Sequence, residues 1–239
     1  AMASGDVDVG YVGIAPVLSS IAKGVPVKVI SAAQTEGSGI VVASDSGIDD
    51  VSDLEGKKIA TPGEASIQHM LLTYYLEQNG MLIDDLKVSA MKVPSMNDAL
   101  KTGKIDGMIT FEPYVTIAEK NGAKVLAGSQ DILPDHPCCV VVASDKFIEK
   151  HPNETQKILK IHENATDFIN SNTDEAAGLL PSDIISDVEV EKVSMSSFPF
   201  ISGLNDSYKQ DVMDFMDLEV DLGILKKPLS EEDIFWQGS

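Results

Sequence analysis

The sequence contains no arginine and few aromatic residues, and each shortage excludes a class of partner or ligand. All 18 basic residues are lysines, against 38 aspartates and glutamates, so the formal net charge is -20. Binding of DNA or RNA requires clustered positive charge that displaces counterions, so we exclude nucleic acid as a partner. Without a guanidinium group, an anionic ligand must be held by helix amino ends, hydroxyl groups or a lysine. Aromatic residues make up 5% of the chain, with a single tryptophan, which disfavours flat ligands that need stacking partners.

Long apolar runs and cysteines are scarce too. No apolar run approaches the roughly 18–20 residues of a membrane-spanning helix. No signal peptide is visible, so any export signal has been removed or left out of this sequence. The two cysteines, Cys138 and Cys139, are adjacent, and an ordinary disulfide between neighbouring strand residues would be strained. We expect both to be small buried residues, and we expect neither a metal site nor a cofactor.

An internal repeat indicates two similar α/β halves. Residues 1–29 align without gaps on residues 99–127, pairing Gly5 with Gly103, Asp8 with Asp106, and Gly24 with Gly122. A second pair of similar segments follows each copy, IVVASD at 40–45 and VVVASD at 140–145. Two such halves usually enclose a cleft, and clefts bind ligands.

The pattern between and after the repeats is an alternation of short apolar strands and amphipathic helices. This alternation is typical of a mostly parallel sheet with helices on both faces. A long helix is predicted after Pro152, with its apolar stripe formed by Ile158, Ile161, Ala165 and Phe168. His151 and His162, beside or on this helix, have no partner at metal-ligand spacing, so we expect surface or packing roles for them.

The two copies of the repeat differ in what precedes them. The second copy follows a predicted strand, helix, strand and helix over 57–102, whereas the first copy starts at residue 1. If both halves are wired alike, a segment of about 45 residues is missing upstream of the first. We therefore expect the chain to be a fragment that lacks its first strands.

Four segments together carry a family resemblance: SGDVDVGYVGIAP, LEGKKIATPG with ASIQHMLL behind it, DALKTGKIDGMITFEPY, and KKPLSEEDIFW near the end. They resemble the substrate-binding proteins of ABC importers for aliphatic sulfonates, taurine, nitrate and bicarbonate. The resemblance implies a type II periplasmic-binding-protein fold with two doubly wound α/β domains joined by two crossover strands, which the VASD segments should form. It also implies an initial strand, helix and strand that this chain lacks.

On this resemblance, domain I consists of residues 1–44 and 138–239 without its N-terminal part, and domain II consists of 45–137. The implied function is an extracytoplasmic solute-binding component, periplasmic or lipid-anchored at the cell surface. It would capture a small sulfonate-like anion between its domains and deliver it, as a monomer, to a membrane permease. No enzymatic activity is expected, because no Ser/His/Asp, Cys/His or metal constellation stands out.

The candidate ligand-binding residues are turn and helix-start residues at predicted carboxyl ends of strands, where α/β folds bind ligands. They are Gly13, Ile14, Ala15, Ser38, Gly63, Ala65, Ser66, Gln68, Glu112, Tyr114 and Cys138. Several have structural alternatives, since Ser66 is also a helix N-cap and the two glycines are also turn residues. Glu112 would repel a bare anion, so it either meets a cationic group, as in taurine, or makes a structural hydrogen bond to nearby backbone.

Other functions remain open from the sequence. The ligand could instead be a pyrimidine related to thiamine precursors or another small organic molecule. The same scaffold also serves as the effector domain of transcription regulators and as the body of a few enzymes. The nearest candidate catalytic set, Glu64, His69, Glu112 and Cys138, has no recognisable order.

Overall fold

The computed structural model describes residues 1–181 and 187–238, which form eight strands and eleven α-helices. The strands are β1 (Val9–Gly13), β2 (Val27–Thr35), β3 (Ser38–Val42), β4 (Lys58–Thr61), β5 (Lys87–Ala90), β6 (Gly107–Phe111), β7 (Lys124–Gly128) and β8 (Pro137–Ser144). The helices are α1 (Ile14–Ala22), α2 (Ile67–Gln78), α3 (Met96–Lys101), α4 (Tyr114–Lys120), α5 (Ser129–Ile132), α6 (Asp145–Lys150), α7 (Pro152–Ser171), α8 (Thr173–Gly178), α9 (Val188–Met195), α10 (Asp206–Asp221) and α11 (Glu231–Ile234). Among these helices, none is long and apolar enough to cross a membrane.

The repeated segments fold into matching strand-helix-strand elements, β1-α1-β2 and β6-α4-β7. The paired glycines adopt the same left-handed backbone, with φ of 79° at Gly5 and 67° at Gly103, and of 84° at Gly24 and 87° at Gly122. Only glycine adopts this conformation without a steric cost, so the turns that begin and end the two elements are alike. The sequence repeat is therefore also a structural repeat.

The chain divides into two units. Unit 1 consists of Ala1–Thr35, His136–Ala176 and Pro199–Ser239, and unit 2 consists of Glu36–Asp135 and Ala177–Phe198. The sheet of unit 1 has the order β1-β8-β2, and the sheet of unit 2 has the order β5-β4-β6-β3-β7.

The strand that follows each repeat lies in the middle of the other repeat's sheet. β3 follows β1-α1-β2 but pairs antiparallel with β6 and β7. β8 follows β6-α4-β7 but pairs antiparallel with β1 and β2. The remaining strands of each sheet run parallel to one another, so β3 and β8 account for the departure from the expected parallel sheet.

The domain boundaries differ from the sequence prediction. Residues 36–44 were assigned to domain I, but β3 belongs to unit 2 because both its neighbours, β6 and β7, lie there. The segment Ala177–Phe198, also assigned to domain I, belongs to unit 2, where α9 packs on α4. The chain thus passes between the units four times rather than twice. Residues 182–186 and 239 of the predicted domain I lie outside the described residues.

Each unit has its own apolar core. In unit 2, Val41 of β3 and Met108 of β6 pack with Met96 and Leu100 of α3. In unit 1, Ile30 of β2 and Val141 of β8 are buried, with Leu159 and Trp236 packed against them.

The buried face of α7 is not the predicted one. Ile161 is 67% exposed and Phe168 is 36% exposed, while Thr155, His162 and Thr166 are buried. His162 can face inward because both ring nitrogens are satisfied. Its Nε2 donates to the Ala32 carbonyl oxygen at 2.8 Å, and its Nδ1 lies 3.2 Å from the Tyr11 hydroxyl. Hydrogen bonding rather than apolar periodicity therefore orients this helix, and His162 has the packing role that was expected.

Close packing at the start of β6 generates a testable difference between two glycines. A Cβ added at Gly107 would lie 3.0 Å from Ile59 Cδ1, 3.1 Å from Val42 Cγ1 and 3.2 Å from the Val41 carbonyl oxygen. We expect Gly107→Ala to lower the free energy of unfolding by about 1–3 kcal/mol, because the surrounding core must shift. Gly10→Ala is the matched control, since no atom lies within 4 Å of its added Cβ. Urea denaturation measures both, and equal stabilities of the two variants would contradict the packing at β6.

A buried carboxyl group in unit 1 generates a pH prediction. Glu219 of α10 is 2% exposed, and burial raises its pKa to about 8. Between about pH 5 and 8 the Glu219 carboxyl is therefore protonated in the native state but ionised in the unfolded chain. The free energy of unfolding consequently falls as the pH rises through this range. We expect Glu219→Gln to be more stable than the wild type by about 2–4 kcal/mol at pH 8.5 and nearly equal to it at pH 5.

Thermal and urea unfolding across this pH range checks the expectation. Asp217→Asn, which removes an exposed carboxyl from the same helix, is the control for the loss of one acidic side chain. A Glu219→Gln variant with the same pH profile as the wild type would contradict the buried, protonated carboxyl.

Candidate functional site

The carboxyl ends of the parallel strands of unit 2 lie at one edge of its sheet. β4, β6 and β7 end there, and the residues that follow them are the turn 62–66, Glu112 and Ser129. β3 runs the opposite way, so its first residue, Ser38, lies at the same edge and pairs with Phe111, the last residue of β6. This edge is where open α/β sheets bind ligands. It holds seven of the eleven predicted site residues, from Ser38 to Tyr114.

A buried hydrogen-bond network fixes the start of β3. Gln68 Nε2 donates to Ser38 Oγ at 3.0 Å, and the Ser38 backbone N–H donates to Ser129 Oγ at 3.2 Å. Ser129 Oγ in turn donates to Glu36 Oε2 at 2.5 Å, and Glu36 Oε1 accepts from the Asp135 backbone N–H at 2.6 Å. Ser38, Gln68, Ser129 and Glu36 are all at most 6% exposed. The structure therefore brings Ser38 and Gln68 together, in a network that holds β3 in place.

Sequence reasoning missed Glu36 and Ser129 in this network. Glu36 adopts a left-handed backbone with φ of 61°, and Gly37 follows with φ of 88°. The Glu-Gly pair could have indicated a turn, because left-handed residues concentrate at turns. Nothing in the sequence shows that the carboxylate points inward, since that depends on Ser129, which is distant along the chain.

Glu112 makes the structural hydrogen bond that was one of its two expected roles. Its carboxylate accepts from the Thr116 backbone N–H at 3.1 Å and from the Thr116 hydroxyl at 3.0 Å, with Ser197 Oγ at 3.5 Å. It thus places negative charge at the amino end of α4, where the helix dipole favours an acid. Burial raises the pKa of Glu112, and the two hydrogen bonds from Thr116 act against that rise. A second carboxyl, the buried Glu191 of α9, has its pKa raised by its own burial and by the charge of Glu112.

A small polar cavity of about 210 Å³ lies beside Glu112 within unit 2. Its polar lining consists of Ser38, Glu112, Glu119, Gln130 and Ser197, and Val115 and Val125 are apolar lining residues. No lysine is among the described residues that line it. The cavity therefore has hydroxyl, amide and carboxylate groups but no cationic side chain.

The turn before α2 is organised by Ser66. Its Oγ accepts from the His69 backbone N–H at 3.1 Å and donates to the Gly63 carbonyl oxygen at 2.6 Å. Gly63 has φ of 137°, and Ala65 is exposed. Burial lowers the pKa of His69, and the charge of Glu64 opposes that shift. Ser66 is thus the N-cap that was expected, and no acidic residue lies in the first turn of α2.

Tyr114 begins α4, and its half-buried ring packs edge-on against Phe111 with ring centres 5.9 Å apart. Its carbonyl oxygen accepts from Asn97 Nδ2 at 3.2 Å. The ring therefore has a packing partner at the carboxyl end of β6.

The other four predicted residues lie in unit 1. Gly13 is the N-cap of α1, has an extended backbone, and provides no capping side chain. Ile14 and Ala15 are at most 2% exposed, so their side chains belong to the core, and only their backbone N–H groups remain for a ligand. The first turn of α1 contains no acidic residue. Cys138 is 4% exposed on β8, next to Cys139, which pairs with Gly13.

The predicted site residues thus divide between the two units, and their joint role in one cleft stays a prediction. In residues 1–181 and 187–238, no group of three or more His, Cys, Asp and Glu side chains could hold a metal ion.

The arrangement described above is that of the type II periplasmic binding proteins. The solved structure of the alkanesulfonate-binding protein from Xanthomonas axonopodis pv. citri, bound to MOPS, has a TM-score of 0.88 with this chain at 20% identity. The match covers 98% of this chain and 82% of that one. A model of the NMT1-like family matches residues 1–180, and the chain belongs to that family.

Two curated relatives carry names that describe a ligand. A protein of Bacillus subtilis named for binding aliphatic sulfonates is 28% identical over 242 residues, covering 98% of this chain and 71% of that protein. The taurine-binding periplasmic protein of Escherichia coli is 30% identical over 162 residues, covering 67% of this chain and 50% of that protein.

Enzymes also occur among the similar proteins. The 4-amino-5-hydroxymethyl-2-methylpyrimidine phosphate synthase of Aspergillus parasiticus is 31% identical over 182 residues, covering 70% of this chain and 52% of that protein. The proteins that are similar in sequence to this chain thus include both binding proteins and an enzyme.

Ser66 caps α2, and this structural role can be tested separately from any contact between Ser66 and a ligand. We expect Ser66→Ala to lower the free energy of unfolding by about 1 kcal/mol, because the His69 N–H loses its acceptor. Ser66→Asp should remain within about 0.5 kcal/mol of the wild type, because aspartate also caps helices. Urea denaturation without ligand measures both. Equal losses in the two variants would show that the hydroxyl does not act as a cap.

Proposed function

We propose that this protein is the extracytoplasmic solute-binding component of an ABC importer and that it captures a small aminoalkanesulfonate such as taurine. We infer a ligand with one anionic and one cationic group, because some of the candidate positions favour an anion and others favour a cation. The first turns of α1 and α2 contain no acidic residue, and the nearest carboxylate before α2, Glu64, is exposed. The cavity at the start of α4 instead contains Glu112 and Glu119.

The sulfonate is assigned to backbone N–H groups at a helix amino end. Such N–H groups point out of the helix without intrahelical partners, and the helix dipole favours an anion there. This recognition requires no guanidinium group, and the chain has none. The names of the Bacillus subtilis and Escherichia coli relatives support a sulfonate as the anion.

The ammonium group is assigned to Glu112. The two hydrogen bonds from Thr116 hold the carboxylate in place, and a carboxylate oxygen can accept more than one hydrogen bond. A bare anion such as nitrate would be repelled by the carboxylates of this cavity, whereas the amino group of a zwitterion would be attracted. Glu112 would then both accept a structural hydrogen bond from the backbone of α4 and bind the cationic group of the ligand.

The transport context is part of the same proposal. The ligand-loaded protein would dock on a membrane permease outside the cytoplasm, and the work of the protein would be capture rather than chemistry. The periplasmic relative that binds taurine supports this location.

A matched pair of ligands tests the proposal. Taurine and ethanesulfonate share the sulfonate and the two-carbon chain, but only taurine has the amine. We expect calorimetry to give tighter binding of taurine, and we expect Glu112→Gln to weaken taurine binding by about tenfold while leaving ethanesulfonate nearly unchanged. Glu77→Gln, an exposed carboxyl on α2, is the charge-matched control. Equal loss for both ligands in Glu112→Gln would contradict the ammonium contact.

The pH dependence has a definite sign. Because burial raises the pKa of Glu112, its carboxylate becomes protonated at a higher pH than an ordinary glutamate. Taurine affinity should therefore fall on acidification, starting at a higher pH than for a contact with an ordinary glutamate, while ethanesulfonate affinity should not fall. The same pH profile of taurine affinity in the wild type and in Glu112→Gln would also count against the contact.

A pyrimidine ligand is the second candidate, favoured by the similarity to the pyrimidine phosphate synthase. A thermal-shift screen with taurine, alkanesulfonates, nitrate, bicarbonate and aminopyrimidines distinguishes the two, since a ligand that binds only the native state raises its melting temperature. Product formation from a bound pyrimidine would replace the binding-only proposal with an enzymatic one.

A further inference from the structure

The two adjacent cysteines at the start of β8 hold their thiols in contact. Cys138 Sγ and Cys139 Sγ are 3.7 Å apart, although neighbouring side chains on a regular strand point to opposite faces. The pairing of β8 with β2 explains this. Gln34 pairs with Cys139, and the next residue of β2, Thr35, pairs with Pro137. Cys138 is therefore an extra residue of β8 that lies between the partners of two consecutive residues of β2. Such a bulge re-aims the side chains around it.

The environment of the pair favours thiol chemistry at Cys139. This thiol is half-buried, whereas Cys138 is 4% exposed. The hydrogen bond between the two thiols lowers the pKa of Cys139, and burial acts against that shift. A thiolate is the nucleophile in thiol–disulfide exchange, so the more exposed member of the pair is also the one whose thiolate is stabilised.

We propose that Cys138 and Cys139 form a redox-modification site that closes to a vicinal disulfide by exchange with a low-molecular-weight disulfide. The Cys139 thiolate attacks one sulfur of the small disulfide, whose S–S bond breaks and releases one thiolate. Cys138 then gives up its proton and attacks the Cys139 sulfur, which releases the second small thiol. The protein loses two electrons and two protons, and the small disulfide is reduced to two thiols.

Closure must change the backbone. Adjacent Cα atoms are about 3.8 Å apart, shorter than the roughly 4.4 Å minimum of ordinary disulfides. The two sulfur atoms, 3.7 Å apart in the reduced form, must also approach to about 2.05 Å, so the backbone at this bulge has to shift. Cys139 is the partner of Gly13 at the end of β1 and of Gln34 near the end of β2, so both pairings are disturbed by closure. A strained disulfide is easily reduced, which makes the modification reversible.

The primary experiment needs no variant. Reduced native protein is incubated with oxidised glutathione, and the intact mass is measured after alkylation of the remaining thiols. The expected product is a monomer that has lost two hydrogen atoms, takes up no alkylating agent, and yields one peptide containing the Cys138–Cys139 disulfide. A stable glutathione adduct, a disulfide-linked dimer or unreacted thiols would each overturn the proposal.

Two serine variants test the order of the steps. Cys138→Ser should accumulate a glutathione adduct on Cys139, because the resolving thiol is absent. Cys139→Ser should react at least about tenfold more slowly, because only the buried thiol remains. Faster reaction of Cys139→Ser than of Cys138→Ser would overturn the assignment of Cys139 as the attacking thiol. Thermal unfolding confirms that each variant is folded before its rate is compared.

Hydrogen exchange tests the structural consequence. In the oxidised form, backbone amides within 9–13 and 31–35 should exchange faster than in the reduced form, with the largest change near Gly13 and Gln34, because these two residues pair with Cys139. The strand Ser38–Val42 of unit 2 is the internal control and should be unchanged. Identical exchange at 9–13 and 31–35 in both redox forms would overturn the coupling of closure to the sheet.

Discussion

Each sheet of this protein depends on a strand supplied from beyond its own repeat. Without β3, the strands β6 and β7 would have no common neighbour, and without β8 the same would hold for β1 and β2. Both inserted strands are almost entirely buried and rich in valine, as expected of strands covered on both faces. Several candidate residues are positioned by this exchange. Ser38 begins one inserted strand, and Cys138 lies near the start of the other. Gly13 is the last residue of β1, which pairs with β8, and Glu112 directly follows β6, which pairs with β3.

Some of the many acidic residues of this chain cap the amino ends of helical segments. Asp53, Asp85, Asp131 and Asp233 each accept a hydrogen bond from a backbone N–H at the beginning of a helical segment. These acids satisfy donors that a helix cannot satisfy internally and lie where its dipole favours negative charge. The first turns of α1, α2 and α4 have no acid, and of these three only α4 is described with a carboxylate, Glu112, that accepts from a backbone N–H of its first turn. A chain without arginine has few other ways to hold an anion.

Regular elements could be predicted from the sequence where local signals were strong. The sequence predicts a helix over Ile67–Asn79, because Ser66 can cap its start and Gly80 can end it, and the structure has this helix at Ile67–Gln78. β8 was expected from Val140 but begins at Pro137, because proline and cysteine give little strand signal and the pairing comes from distant strands. The predicted apolar stripe of α7 was wrong because His162 packs inward through two hydrogen bonds that periodicity cannot reveal.

At the site, the cap at Ser66 was predictable from its own turn. The inward-facing carboxylate of Glu36 was not, because its partners Ser129 and Asp135 lie far along the chain.

The exchange of strands also sets an order in which the molecule can fold as it is synthesised. All five strands of the unit 2 sheet lie between Ser38 and Gly128, so that sheet can close before β8 exists. β1 and β2 precede the strands of unit 2 along the chain but have no strand between them until Pro137–Ser144 emerges. Contacts so distant in sequence are slow to form, because a long loop must close first. The β1-β8-β2 sheet is therefore completed after the sheet of unit 2, although β1 and β2 precede that sheet along the chain.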